Sequence, residues 1–269
     1  MDARMKCVRL VAMACLAAGS IGCHIEVVGV DGDDDWDRYE VTAETSRTLE
    51  VAGETALTVL GQNGEVRIRG VTEGESLMVC AERTVRSYSR RDAEEHLDLL
   101  QVSVRREGGE LVVETVQPQH SGRRDYVVDY QITLPRALAV RVMNGNGAVR
   151  VEELDAELRV ENGNGSVLVR DQRGSSWITV GNGHIDSRVE MPEYGQVVHK
   201  VGNGWIRLDL PGSVSAQFGA FVGNGSISHS GLPFTSMASG PGVLQGTLGS
   251  GAGLIDLMVG NGWVEVTGY

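Results

Sequence analysis

A chain of 269 residues with 41% apolar and 22% charged residues has the composition of a folded protein of one large or two small domains. Its formal net charge of −12 excludes recognition of nucleic acid, or of an anionic membrane surface, by charge. Thirty-six glycines and only three Phe argue against a helical bundle and for many turns between thin β layers.

Residues 1–22 read as a processing segment. Arg4, Lys6 and Arg9 form a positive n-region, and LVAMACLAAGSIG is an apolar run too short for a stable transmembrane helix. The run ends in SIGC, which resembles the bacterial lipobox, with Cys23 as the lipidated new N-terminus that ties the protein to a membrane. Ser20 stands where Leu is usual, so ordinary signal-peptidase cleavage is the alternative. On the first route Cys7 and Cys15 leave with the signal and only Cys80 remains, a small buried hydrophobe in SLMVCAERTV; on the second, Cys23 and Cys80 are free to pair. Removal of residues 1–22 takes away three basic residues and one acidic one, leaving −14.

Residues 23–45 read as an acidic tether. Asp31, Asp33, Asp34, Asp35 and Asp37 suggest a calcium loop, but counting from Asp31 the sixth and twelfth places hold Trp36 and Thr42, where Gly and a bidentate Glu are needed. From 46 to 139 an N-terminal β region follows, with strand-length apolar runs in RTLEVAG, ALTVLGQNGEVRIRGV and ESLMVCAERTV. One short α-helix is expected at about 89–101, with Ser89 as N-cap and Ala93, Leu97 and Leu100 on one face. A hairpin about Gly108 and Gly109 follows, then a strand with Val128, Tyr130, Ile132 and Leu134 on one side.

From 140 to 269 the chain is almost wholly repeat. Gly-Asn-Gly recurs with its Asn at Asn146, Asn164, Asn182, Asn203, Asn224 and Asn261, and a looser GQNGEVRIRG stands at 61–70. Three places after each Asn stand Val149, Val167, Ile185, Ile206, Ile227 and Val264, an unbroken β-branched column. Alternation on both sides of a Gly-rich corner means strand, turn, strand, with that column inward. Spacings of 18, 18, 21 and 21 residues mean a β-solenoid whose coils stack to bury their apolar faces, with SGPGVL and SGAGLI as weaker copies before the last. Glycine supplies the tight or left-handed backbone of the corner, Asn is the non-Gly residue that best tolerates it, and stacked Asn side chains are expected to form a ladder.

The glycines do not make a phosphate loop, because strand and not helix follows each copy and no Lys-Ser/Thr is present. A calcium roll needs aligned Asp, whereas the places two after each Asn hold Ala148, Ser166, His184, Trp205, Ser226 and Trp263. Carboxylates and arginines such as Asp186, Asp209, Arg170, Arg188 and Arg207 fall on outward columns of mixed sign, a solvated ion-paired face and not a hydrolytic cluster. No metal or other cofactor is expected; His184, His199 and His229 lack ligand spacing. Trp205 and Trp263 share an outward column with His184, which offers an aromatic stripe to a sugar ring or a partner protein. The plainer alternative is that these rings cover neighbouring glycines or cap an end of the stack.

These motifs together, with VDYQITLPRALAVRVMNGNGAVRVEEL and GTLGSGAGLIDLMVGNGWVEV, resemble the bacterial putative-adhesin family, a domain of unknown function built of β-strand repeats, over roughly residues 46–269. The resemblance implies an all-β, right-handed β-helix and a place in the cell envelope. It implies no catalytic residue. The expected function is a non-enzymatic, lipid-anchored envelope protein that binds a surface glycan or protein. A structural or envelope-sensing module with one dedicated protein partner is the second reading, and a polysaccharide-processing enzyme the third.

Overall fold

The computed structural model describes residues 25–29, 39–72 and 74–269. The processing segment, Cys23 and the aspartate run at 31–37 lie outside the described residues. The chain runs through β1 (Ile25–Gly29), β2 (Tyr39–Glu50), β3 (Ala56–Leu60), β4 (Val66–Val71), β5 (Ser76–Ser87), α1 (Arg90–Leu97), β6 (Gln101–Glu107), β7 (Glu110–Val116) and β8 (Asp125–Pro135). The repeats follow as β9 (Ala139–Asn146), β10 (Val149–Leu154), β11 (Leu158–Gln172), β12 (Ser176–Val189), β13 (Gln196–Leu210) and β14 (Ala216–Ser230). A hairpin, β15 (Phe234–Gly240) and β16 (Val243–Leu248), precedes the last repeat, β17 (Gly253–Gly268). The protein is all-β apart from α1, and its strands form one continuous hydrogen-bonded sheet.

Sequence reading sets the edges of the N-terminal part differently. β2 begins at Tyr39, inside the segment expected to be tether, and pairs antiparallel with β5 along its whole length. The helix has its expected N-cap, Ser89, whose hydroxyl accepts from the Asp92 amide, but it ends at Leu97 and not near 101. Leu100 is buried just beyond it, at the turn into β6, so the apolar spacing that extended the helix on paper serves the core from a turn.

The repeats stack in parallel and in register. β3 and β4 pair with β9 and β10, these with the two halves of β11, then β11 with β12 and β12 with β13. The order along the stack then departs from the order along the chain. β17 pairs with β13 on one side and with β14 on the other, so the last repeat is inserted between the fourth and fifth Gly-Asn-Gly copies. SGPGVL is not a further coil: it falls in the antiparallel β15–β16 hairpin, which lies against Ala216–Phe221 of β14, while SGAGLI leads into β17. The chain reaches the inner position by way of this hairpin, β16 pairing with one edge of β14 and β17 with the other.

Each corner is a change of phase. In β11, Leu158, Val160 and Asn162 point inward before Gly-Asn-Gly, and Val167 and Val169 after it, so the inward parity switches from even to odd. The second glycine makes the switch: Gly147, Gly165, Gly183, Gly204, Gly225 and Gly262 have φ between 126° and 143°. It also meets the next coil. A Cβ on Gly204 would lie 1.6 Å from the Gly183 carbonyl oxygen, and one on Gly262 1.6 Å from that of Gly204.

The expectation that Asn is chosen for left-handed backbone is corrected here. None of the six corner Asn residues has positive φ; among the described residues the non-glycine cases are Arg123, Glu153 and Asp171. Asn is there for its side chain. Asn146 donates to Asn63, Asn164 to Asn146, Asn182 to Asn164, Asn203 to Asn182, Asn261 to Asn203 and Asn224 to Asn261, each at 2.7–2.9 Å. The ladder therefore has seven rungs and one polarity. Asn63 ends it by donating to the Tyr126 carbonyl, and brings the looser GQNG copy into the stack.

Inside, Val149, Val167, Ile185, Ile206 and Val264 are wholly buried, each stabilising the fold by ~1.5–3 kcal/mol. Ile227, in the outermost coil, is only partly buried. Beyond Phe221 the outer edge of β14 pairs with no strand among the described residues.

Candidate functional site

The position two after each Asn faces outward, because the residue that follows it is inward and strand side chains alternate. Parallel in-register coils lie about 4.8 Å apart, close to the spacing of stacked aromatic rings. Register places Ser166, His184, Trp205, Trp263 and Ser226 in one column, in that order along the stack.

The three central side chains form a continuous ring stack. His184 and Trp205 have centroids 4.2 Å apart and planes 8° from parallel; Trp205 and Trp263 are 4.8 Å apart and 4° from parallel. All three are half-buried. Trp205 has both faces covered, so it contributes only its edge to solvent. Partial burial lowers the pKa of His184, with Asp186 opposing, so the imidazole stacks in its neutral form at neutral pH. The rings lie over one another and not over neighbouring glycines, and the stack is bounded by a serine at each end. Trp263 reaches Trp205 only because β17 is inserted beside β13; chain order alone would put Ser226 there.

Beside the rings runs an ion-paired face. Arg207 meets Glu265 at 2.8 Å and Arg170 meets Asp186 at 3.0 Å. The Arg207 guanidinium is 5.6 Å from the Trp205 centroid and 5.9 Å from that of Trp263. Near-equal distances to two stacked rings put it at their shared rim.

Two polar clusters lie elsewhere. His199 is fully buried, with Nε2 3.0 Å from the Ser176 hydroxyl and Nδ1 3.5 Å from that of Ser187. Burial pushes its pKa down to about 3, and with no exposed surface the Ser–His pair serves the interior of the stack and meets no substrate. Sequence reading weighs His199 only as a metal ligand, although it stands in the alternating inward positions of QVVHKV. Asp92, on α1, accepts two bonds from Arg124 at 2.6 Å and one from Ser87, which fastens the helix to β5 and to the segment before β8. The Arg124 guanidinium holds the Asp92 carboxyl far below the usual range. Among the described residues no group of three or more His, Cys, Asp or Glu is placed to hold a metal ion.

No protein-family model matches this chain, and no curated protein matches it. Solved structures do. A "putative cell adhesion protein" from Clostridium sporogenes matches 84% of this chain over 99% of its own, at 14% identity and a TM-score of 0.48. A "putative adhesin" from Parabacteroides distasonis matches 83% over 96%, at 14% identity and a TM-score of 0.29. A "putative lipid binding protein" from the same species matches 84% over 96%, at 10% identity and a TM-score of 0.24.

Proposed function

We propose that the chain is a non-enzymatic β-solenoid protein of the bacterial envelope, right-handed and lipid-anchored through Cys23, whose outward ring stack binds a surface glycan or an envelope protein. One observation carries this reading. Three aromatic rings from coils far apart in sequence meet in one partly exposed column, on a surface held rigid by the Asn ladder and the buried valine and isoleucine column. Such preorganised aromatic surface binds at little entropic cost. Export and lipidation rest on the n-region and SIGC; no helix among the described residues is long and apolar enough to cross a membrane.

Glycan-array and matrix-protein binding by the chain tests the proposal. Binding that is lost in Trp205→Ala and Trp263→Ala is expected. Binding unchanged in both variants, or turnover of a polysaccharide abolished by one carboxylate substitution, would overturn it. Copurification of one envelope protein without glycan binding would favour the sensing reading. Cys23→Ala should release the protein from membranes; retention in the membrane fraction contradicts lipid anchoring.

A further inference from the structure

The ring stack stops one coil before the coils do. Trp205 covers one face of Trp263. On the other side the next coil offers Ser226, an exposed residue in register with Trp263, and no ring among the described residues lies on that face. Arg207 is at the rim and is held by Glu265, so it does not cover the face either. The coil that carries Ser226 is the outermost one, and beyond Val222 the outer edge of β14 pairs with no strand among the described residues. Among the described residues no ring therefore stacks on the side of Trp263 where a further rung would be, and the residue in register there is the small, exposed Ser226.

The rim of that face is polar. Ser226 and Ser228 face outward on β14, Glu265 stands beside Ser228, and Asn224 is the last rung of the amide ladder. Every other rung from Asn63 to Asn261 has its Oδ1 filled by the next Asn, whereas among the described residues Asn224 Oδ1 has no donor. One flat apolar face, edged by two hydroxyls, a carboxylate and an open amide acceptor, fits a ring with a C–H face and a hydroxyl rim. It does not fit an aromatic side chain, which would desolvate those groups without pairing them. The net charge of −12 disfavours an anionic sugar.

We infer that the free face of Trp263 over Ser226 is a subsite for one neutral pyranose ring, stacked as the next member of the His184–Trp205–Trp263 column. This rests on the glycan-binding reading and narrows it to one face of one ring. The ring's C–H face lies on the indole, and its hydroxyls donate to Asn224 Oδ1 and Glu265.

The substitution Ser226→Trp separates the two ideas, because it places a fourth stacked ring on that face and leaves Trp263, Trp205 and His184 in place. Saturation-transfer NMR and tryptophan fluorescence titrations would use methyl β-glucopyranoside, methyl β-galactopyranoside and methyl β-N-acetylglucosaminide as probes. The wild-type chain should bind at least one of them, Ser226→Trp should weaken binding by about tenfold or more, and Ser166→Trp, at the far end of the column, should bind within about threefold of wild type. Wild-type binding that Ser226→Trp leaves unchanged, but Trp205→Ala abolishes, would overturn the subsite and spare the glycan reading. Absence of binding to all three probes and to the glycan array would overturn both. Far-UV circular dichroism of each variant confirms that the stack is intact.

Discussion

Adding one methyl group at Gly204 should cost far more than the same change at a glycine of similar backbone outside the stack. Gly204 has φ of 140°, and its new Cβ would sit 1.6 Å from the Gly183 carbonyl oxygen. Real Cβ atoms stay beyond about 3 Å of such an oxygen, so the two coils must part by more than an ångström, which stretches the parallel bonds between β12 and β13. Gly53 isolates the conformational part, since its φ is 103° and nothing lies within 4 Å of an added Cβ. Gly219 isolates the substitution itself: no positive φ, and nearest atom 3.8 Å away. Urea unfolding followed by circular dichroism should therefore rank the three. Gly219→Ala should be neutral or slightly stabilising, Gly53→Ala should lose ~1–3 kcal/mol, and Gly204→Ala should lose that strain plus ~2 kcal/mol or more from broken coil-to-coil bonds. Equal losses at Gly53 and Gly204 would refute the claim that glycine is needed for close approach between coils.

Asn182→Ala removes two ladder bonds and Asn224→Ala only one, so the first should lower the unfolding free energy about twice as much, on a scale of ~0.5–1.5 kcal/mol per bond; equal effects would deny the ladder its continuity. His199 is neutral when folded, with its pKa pushed down to about 3, and ionises near 6.5 when unfolded. Its contribution is thus complete above pH 6.5 and is lost as pH falls toward 3, at ~1.4 kcal/mol per pH unit. The slope of stability between pH 6.5 and 5 should flatten in His199→Gln, and an unchanged slope contradicts the assignment. Arg124→Met leaves Asp92 with the Ser87 and Tyr88 hydroxyls but without its guanidinium, which should lower stability in chemical unfolding, while Arg124→Met with Asp92→Asn should recover part of that loss; no recovery in the double variant would contradict the pairing.

Much of the core was readable from the sequence because strands alternate. The column from Val149 to Val264 is inward as its period-two pattern requires, and the glycine after each Asn takes the positive φ that only glycine adopts freely. The Asn itself misled, since tolerance of left-handed backbone and a side-chain ladder predict the same letter at the same place. Coil order was not legible at all. β17 shares Val-Gly-Asn-Gly with both β13 and β14, and no local preference says that a chain will fold back to enter between two strands already made. That insertion decides which rings meet. The outward column was visible as a stripe of His184, Trp205 and Trp263, but its continuity depends on a non-local pairing that periodicity does not encode. The burial of His199 was hidden for a different reason: a histidine in an alternating run is inward or outward according to partners, here Ser176 and Ser187, that both stand on the neighbouring strand β12.

The insertion of the last repeat is the claim on which the ring stack and its open face depend, and a disulfide tests it. Lys200 lies opposite Met258 and Met258 opposite Phe221, all on the outward side, so Lys200 and Phe221 are separated by a whole coil. Neighbouring parallel strands bring cysteine Cα atoms within bonding range, and strands two apart do not. In a Cys80→Ala background, Lys200→Cys with Met258→Cys should oxidise to a single linked peptide pair by mass spectrometry, and Lys200→Cys with Phe221→Cys should stay reduced. The reverse result would mean that the repeats stack in chain order, that Trp263 does not reach Trp205, and that the binding column does not exist.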